Sequence, residues 1–277
     1  MSTPRLPWVG DTLLDYGDVR IELCVPPALY ERQSTPGHFI LGKSRAMVEG
    51  LAAALGDGPV ERIVDVGVYK GGSIVLLYEA WRPRRLVGID INPAMPPALP
   101  EYCLAAERKD AIGIYLGVNQ VDHARIEEIC AAEFDAPLDL VIDDASHYYA
   151  ETRETFRALF PRLRDGGLYV IEDWGWAHWP GDFWQRERGG DGFREKLPLS
   201  NLLIELMLLC ASAPGAVRRV TFDSVVIRVE RGAAALQPGF EPRDLYLNRG
   251  DPVTLLGPSP AAPALRFDSP TFTVRTR

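Results

Sequence analysis

The residues best equipped for chemistry stand in two clusters, Asp143-Asp144-Ala145-Ser146-His147 and Glu172-Asp173. Each follows a short apolar run of strand length, Leu138 to Ile142 before the first and Leu168 to Ile171 before the second. A helix-sized segment, Tyr148 to Leu163, and the turn Asp165-Gly166-Gly167 separate them. Strand, helix, strand is the unit that builds a parallel sheet, whose neighbouring strands lie about 4.8 Å apart. Carboxylates at two such tips can share one cation. Asp144, Glu172 and Asp173 offer hard oxygen donors, which suit Mg²⁺ at about 2.0–2.1 Å with water or substrate completing the octahedron. His147, read as one helical turn beyond Asp144, is placed beside the ion as a general base. A helix N-terminal histidine or a solvated loop accounts for either cluster alone. Their joint occurrence at two adjacent strand tips favours a site.

The elements that must position these groups follow from hydrophobic patterning. Lys43 to Leu55 reads as an amphipathic helix ended by Gly56-Asp57-Gly58-Pro59. Strands are expected at 62–66, 85–90 and 112–116, with helices at 73–81 and 122–133 between and after them. Beyond the carboxylate tips come an irregular loop (174–198), an apolar helix (199–211) and a closing strand pair, 217–222 and 225–229. Alternating strands and helices predict an α/β doubly wound sheet. The terminal antiparallel pair is the arrangement of class I S-adenosylmethionine (SAM) methyltransferases, a Rossmann-like sheet. Residues 1–42 are Pro-rich without clear periodicity and are expected to pack over the domain or form part of a lid. The organisation read from this is an N-terminal extension and first helix (1–55), a core (56–232) and a C-terminal tail packed on it (233–277), the tail carrying one or two edge strands.

The first strand runs into Asp65-Val66-Gly67-Val68-Tyr69-Lys70-Gly71-Gly72-Ser73. Glycines let backbone N–H groups approach a ligand, and the following helix N-terminus favours an anionic group. Such a turn alone is also met as plain structure or in a dinucleotide fold. Asp90 ends the second strand, where a carboxylate can accept both ribose hydroxyls of an adenosine ligand. The D-x-G-x-x-x-G spacing followed by Asp90 resembles a SAM-binding pattern. Asp65, Gly67, Tyr69, Gly71, Ser73 and Asp90 are therefore assigned to the cofactor, together with Asp143. Asn119 and Gln120, at the third strand tip, are candidate adenine contacts, for which loop capping accounts equally well.

Asp144-Ala145-Ser146-His147 with Glu172-Asp173 resembles the macrocin/mycinamicin sugar O-methyltransferases, to which the cephalosporin hydroxylase family is related. The resemblance spans roughly Ile63 to Trp174 plus the terminal strand pair. It implies SAM and Mg²⁺ as cofactors, metal ligation by Asp144, Glu172 and Asp173, a catalytic base at His147, and a glycoside or saccharide acceptor of the kind found in antibiotic biosynthesis. Four of the six tryptophans, Trp174, Trp176, Trp179 and Trp184, fall in the loop after the metal cluster, with Phe183 and Phe193 nearby. Flat aromatic faces stack on pyranose rings, so Trp174, Trp176, Trp179 and His178 are candidate acceptor contacts. A lid seam or subunit interface explains the same aromatics. The rivals are a catechol-type O-methyltransferase, a dinucleotide oxidoreductase and a SAM-binding protein without catalysis.

Composition excludes other classes. A net charge of −8 without a Lys/Arg run argues against a nucleic-acid or anionic-membrane surface. The four cysteines show no metal or redox spacing and read as reduced thiols. No signal-peptide core or membrane-length apolar run is expected, which points to a cytoplasmic protein, and relatives of the resembled family are commonly homo-oligomers.

Overall fold

In the computed structural model, which describes residues 5–180 and 196–256, the catalytic candidates sit on a seven-stranded sheet. Its order is β10-β11-β9-β8-β5-β6-β7, with β5 (Arg62–Val66), β6 (Arg85–Asp90), β7 (Ile112–Leu116), β8 (Leu138–Asp143), β9 (Leu163–Ile171), β10 (Val217–Phe222) and β11 (Ile227–Arg231). The five strands from β5 to β9 pair in parallel, while β11 runs antiparallel to both β9 and β10. Insertion of the last strand between its predecessor and β9 is the expected terminal pair, and the doubly wound class I methyltransferase sheet is borne out.

The central strands read as continuous apolar runs because both faces are covered; every residue of β8 is buried. One face packs against α2 (Arg45–Leu55) and α3 (Gly72–Trp81). The other packs against α5 (His123–Glu133), α6 (Tyr149–Leu159) and α7 (Ser200–Ser212). On that second face Phe156 stacks on Phe160 at 4.4 Å and meets Tyr169 edge-on at 5.1 Å. Phe240, from the segment after the sheet, closes on the same ring cluster. No edge strand forms in the tail among the described residues.

Residues before 42 are more ordered than their composition suggested. They form a separate four-stranded sheet from β1 (Trp8–Val9), β2 (Leu13–Asp15), β3 (Arg20–Leu23) and β4 (His38–Leu41), with the single-turn α1 (Ala28–Glu31) between β3 and β4. The strands are too short for a two-residue period to stand out, and β3 and β4 are parallel across a long connection. Leu14, Ile21 and Phe39 are fully buried in the same core as α3. The contact is close: a Cβ on Gly72 would lie 2.3 Å from the carbonyl oxygen of Ile40. A further helix missed in the sequence, α4 (Leu99–Leu104), follows the Pro-rich loop after β6. Among the described residues no helix is long and apolar enough to cross a membrane.

Candidate functional site

The C-terminal tips of β5, β6, β8 and β9 converge where the sheet order turns from β5 outward in both directions, the position at which doubly wound sheets bind ligands. A cleft of about 660 Å³ opens there. Gly67 and Tyr69 line it from the glycine turn, Asp90 and Asn119 from the next two tips, and Asp144, His147 and Asp173 from the carboxylate end. The sequence-predicted cofactor and metal residues thus share one cavity, with some exceptions.

The glycine turn is built for close approach. Gly67 has φ +103°, and a Cβ there would meet the Asp144 carbonyl oxygen at 2.3 Å, so the β5 and β8 tips touch only because residue 67 lacks a side chain. Gly71 takes the left-handed conformation that starts α3, whose free N–H groups favour an anionic ligand group. Asp90 accepts hydrogen bonds from the Val68 and Tyr69 amides at 2.8 and 2.9 Å, and from the Asn92 amide at 2.8 Å. Its carboxylate therefore shapes the glycine turn as well as lining the cleft. The donors, acceptor and helix terminus suit a ligand with a hydroxylated ring and an anionic tail.

Asp65 and Asp143 depart from expectation. Their side chains point into the core beneath the cleft: Ser73 Oγ donates to Asp65 Oδ2 at 2.6 Å, and the Tyr169 hydroxyl donates to Asp143 Oδ2 at 3.0 Å. Burial pushes each carboxyl up to about 7. Asp65 stands next to last in β5 and Asp143 last in β8, and each is buried against a partner within the fold, so they brace the strand tips. Gln120 lines the cleft with its amide group engaged: its Nε2 donates to Thr155 and its Oε1 accepts the Ser146 amide at 3.1 Å, holding the loop before α6. Asn119 Oδ1 accepts the Val121 amide.

At the carboxylate end, donor atoms of Asp144, His147 and Asp173 all lie within 4.8 Å of one another. Two carboxylates and an imidazole, half-buried and open to the cleft, fit a divalent cation. His147 does not sit one helical turn after Asp144. The connection is a loop, α6 begins only at Tyr149, and His147 itself has φ +58°. That left-handed kink, fixed by the Trp176 indole N–H donating to the His147 carbonyl at 3.0 Å, keeps Nε2 3.9 Å from Asp144 Oδ1. Asp173 is likewise left-handed at φ +52°. Burial, then the neighbouring Asp144 charge, raises the Asp173 carboxyl above the usual range.

Glu172 is engaged elsewhere. It is buried and hydrogen-bonded to Lys43 Nζ, which also donates to Asp144 Oδ2 at 2.8 Å. Burial opposes the charge on Lys43, but Asp144 and then Glu172 outweigh it and hold the ammonium well above the ordinary lysine range. Burial drives the Glu172 carboxyl upward while Lys43 pulls it down; contact with an ammonium so firmly charged favours the ionised pair. Sequence reasoning placed Lys43 in a helix. The structure leaves it just outside α2, which is capped by the Ser44 side chain accepting the Met47 amide. The available signal was a lone Lys on an apolar run, Phe39-Ile40-Leu41-Gly42-Lys43, ahead of a good N-cap. Lys70, in the glycine turn, was also missed; its ammonium donates to the carbonyls of Leu29, at 2.6 Å, and Arg32, clamping α1 over the cleft.

The aromatic loop residues turn away from the cleft. Trp174 and Trp179 donate to the carbonyls of Asp223 and Ser224 in the β10–β11 turn, at 2.8 and 3.4 Å, and Trp176 is buried under the His147 loop. His178 pairs with Ser200 Oγ at 2.9 Å. Their indole N–H groups need partners once buried, and backbone carbonyls supply them. Trp184, Phe183 and Phe193 lie outside the described residues. The aromatic rings that do line the cleft are Tyr30, Tyr69 and Tyr148.

Residues 64–174, which carry the strand tips and the site, match the family model described as a methyltransferase domain. The chain is 47% identical over 148 residues to demethylmacrocin O-methyltransferase of Streptomyces fradiae, covering 51% of this chain and 33% of that protein. It is 34% identical over 138 residues to mycinamicin VI 2''-O-methyltransferase of Micromonospora griseorubida, covering 43% and 29%. The matches span about a third of the length of these curated relatives. The MycE methyltransferase from the mycinamycin biosynthetic pathway, solved in complex with Mg and SAH, shares the fold at TM-score 0.51 with 24% identity, over 69% of this chain and 49% of that one. The resemblance to the macrocin and mycinamicin O-methyltransferases stands over this part of their length.

Proposed function

We propose that this protein is a SAM- and Mg²⁺-dependent O-methyltransferase acting on a sugar hydroxyl of a glycosylated natural product. The observation that carries the reading is the convergence of Asp144, His147 and Asp173 in the same cleft as the glycine turn and Asp90. The relatives' O-methyltransferase activities, toward mycinamicin VI and demethylmacrocin, support the acceptor class. A dinucleotide reading leaves the carboxylate end without a task.

In this reading the α3 N-terminus receives the methionine carboxylate, and Asp90 accepts the ribose hydroxyls. Asp144 and Asp173 hold the divalent cation, with Glu172 behind them. When bound, the cation makes the acceptor hydroxyl more acidic. His147 would take the proton of the acceptor hydroxyl, and SAM held in the cleft would supply the methyl group to that oxygen, leaving as S-adenosylhomocysteine. Residues 5–55 serve as a wall over the core that follows, with α1 and the β4 end closing the cleft.

The first test is calorimetric titration of SAM, with NAD as comparison, with and without Mg²⁺. SAM binding without NAD binding, followed by chelator-sensitive methyl transfer to a glycoside, is expected. NAD binding alone overturns the reading. An aromatic vicinal diol run beside the glycoside separates a catechol-type enzyme.

A further inference from the structure

We propose that Lys43 is a positioning residue that acts as the internal counter-ion of the carboxylate cluster, bridging Asp144 and Glu172 and thereby setting the affinity of the site for a divalent cation. The inference rests on the metal site of the proposed function. It begins with burial: the Lys43 side chain is 4% exposed and that of Glu172 5%. A lysine is rarely found so deep without a partner, and here it has two carboxylates. Asp173 completes the cluster, and His147 faces it from the loop before α6.

Three carboxylates stand at two strand tips, and the ammonium supplies one positive charge in contact with two of them. Lys43 also divides the cluster. It occupies Glu172 and one oxygen of Asp144, while Asp144 Oδ1 is the oxygen that lies toward His147. The donors that remain toward the cleft for an ion are those of Asp144 and Asp173, with His147 beside them, which leaves the other faces of an ion for acceptor oxygens or water. Because Lys43 follows β4 at the edge of the four-stranded sheet, that sheet delivers the counter-ion as well as the wall.

The test is divalent-cation binding, read by calorimetric titration of MgCl₂ or MnCl₂ into the full chain saturated with SAM. Lys43→Met removes the ammonium and is expected to tighten binding by at least about tenfold, since a cation loses a like charge a few ångströms away in a partly dehydrated site. Lys43→Met leaves two buried carboxylates without their partner, so the comparison is repeated in a second background. There, Glu172→Gln is set against the Lys43→Met/Glu172→Gln double variant, in which no buried glutamate charge is stranded. The double variant is expected to bind the cation at least about tenfold more tightly than Glu172→Gln alone. Equal or weaker binding on loss of Lys43 overturns the counter-ion role while leaving the metal site standing. Absence of divalent binding in every variant, with SAM still bound, overturns the metal reading and the Lys43 inference together. A role for Lys43 in packing alone predicts a lower melting temperature without any change in cation affinity.

Discussion

His147 and Asp173 hold left-handed backbone conformations at the two ends of the proposed metal site, where a non-glycine residue costs of order 1 kcal/mol or more. His and Asp tolerate that region better than most residues, so strain and chemistry coincide at these positions. His147→Asn keeps the backbone preference and removes the base; kcat is expected to fall about 10²–10⁴-fold with SAM affinity unchanged. Loss of SAM affinity in the folded variant would refute the base assignment. Asp144→Asn is expected to remove stimulation by divalent metal, and an unaltered metal response would refute that ligand. Asp65 titrates in a different direction from an ordinary surface acid. Its folded carboxyl sits at about 7 because burial disfavours the charge, against an unfolded value near about 3.9. Folding therefore takes up a proton between these values, and the contribution is complete below the unfolded value and lost as pH rises through about 7. Asp65→Asn should consequently gain stability relative to the native chain as pH rises from about 4 to about 8, by up to a few kcal/mol. Melting curves across that range check the sign; a gap that is flat or closes with pH contradicts the placement of Asp65.

Among the elements, α3 is the piece on which most else depends. Its start at Gly71-Gly72 presents N–H groups to the cleft, and its first turn lies against β4. Gly72→Ala must push the Ile40 backbone aside, and backbone cannot yield as a flexible side chain does. A destabilisation of about 1–3 kcal/mol is expected from such overpacking, read as a lower denaturation midpoint together with weaker SAM binding. Periodicity made the βαβ units legible: β5, β6, β7 and β10 coincide with their sequence-based bounds. The bounds slip where local rules conflict. β9 begins at Leu163 and spans Asp165-Gly166-Gly167, read as a turn; these residues form an irregularity between the Leu138–Leu163 and Leu140–Leu168 pairs, with Gly166 at φ +72°, and regular pairing with β8 and β11 resumes at Leu168. Tyr148 to Leu163 closes instead in a 3₁₀ turn after Leu159, where Pro161 follows in the next turn.

At the scale of the molecule, ion pairs far apart in sequence close the structure around the sheet. Glu205 is fully buried on α7 and receives Arg153 Nε at 2.8 Å, with Arg243 and Tyr246 at its other oxygen. Asn201 exchanges hydrogen bonds with the backbone of Leu256. These contacts hold residues 240–256 against the core. If the proposed cofactors bind the native state alone, SAM at 100 times its dissociation constant stabilises the fold by about 2.7 kcal/mol, and bound Mg²⁺ adds to that. A rise in melting temperature with SAM, enlarged by Mg²⁺ and reversed by chelator, is the expected result; no rise with SAM removes support for the cofactor.

What the sequence by itself determined is the doubly wound sheet, its terminal antiparallel pair and the pairing of Asp144 with Asp173 near His147. Each depends on apolar runs or on motifs spanning adjacent strand tips, so local pattern carries them. Only the tertiary structure decided that Asp65 and Asp143 are buried, that Trp174 and Trp179 bond to the β10–β11 turn, and that Lys43 joins the site. Lys43 is 101 residues from Asp144 and 129 from Glu172 in the chain. No periodicity links positions so distant; burial of the four-stranded sheet against α3 brings them into contact.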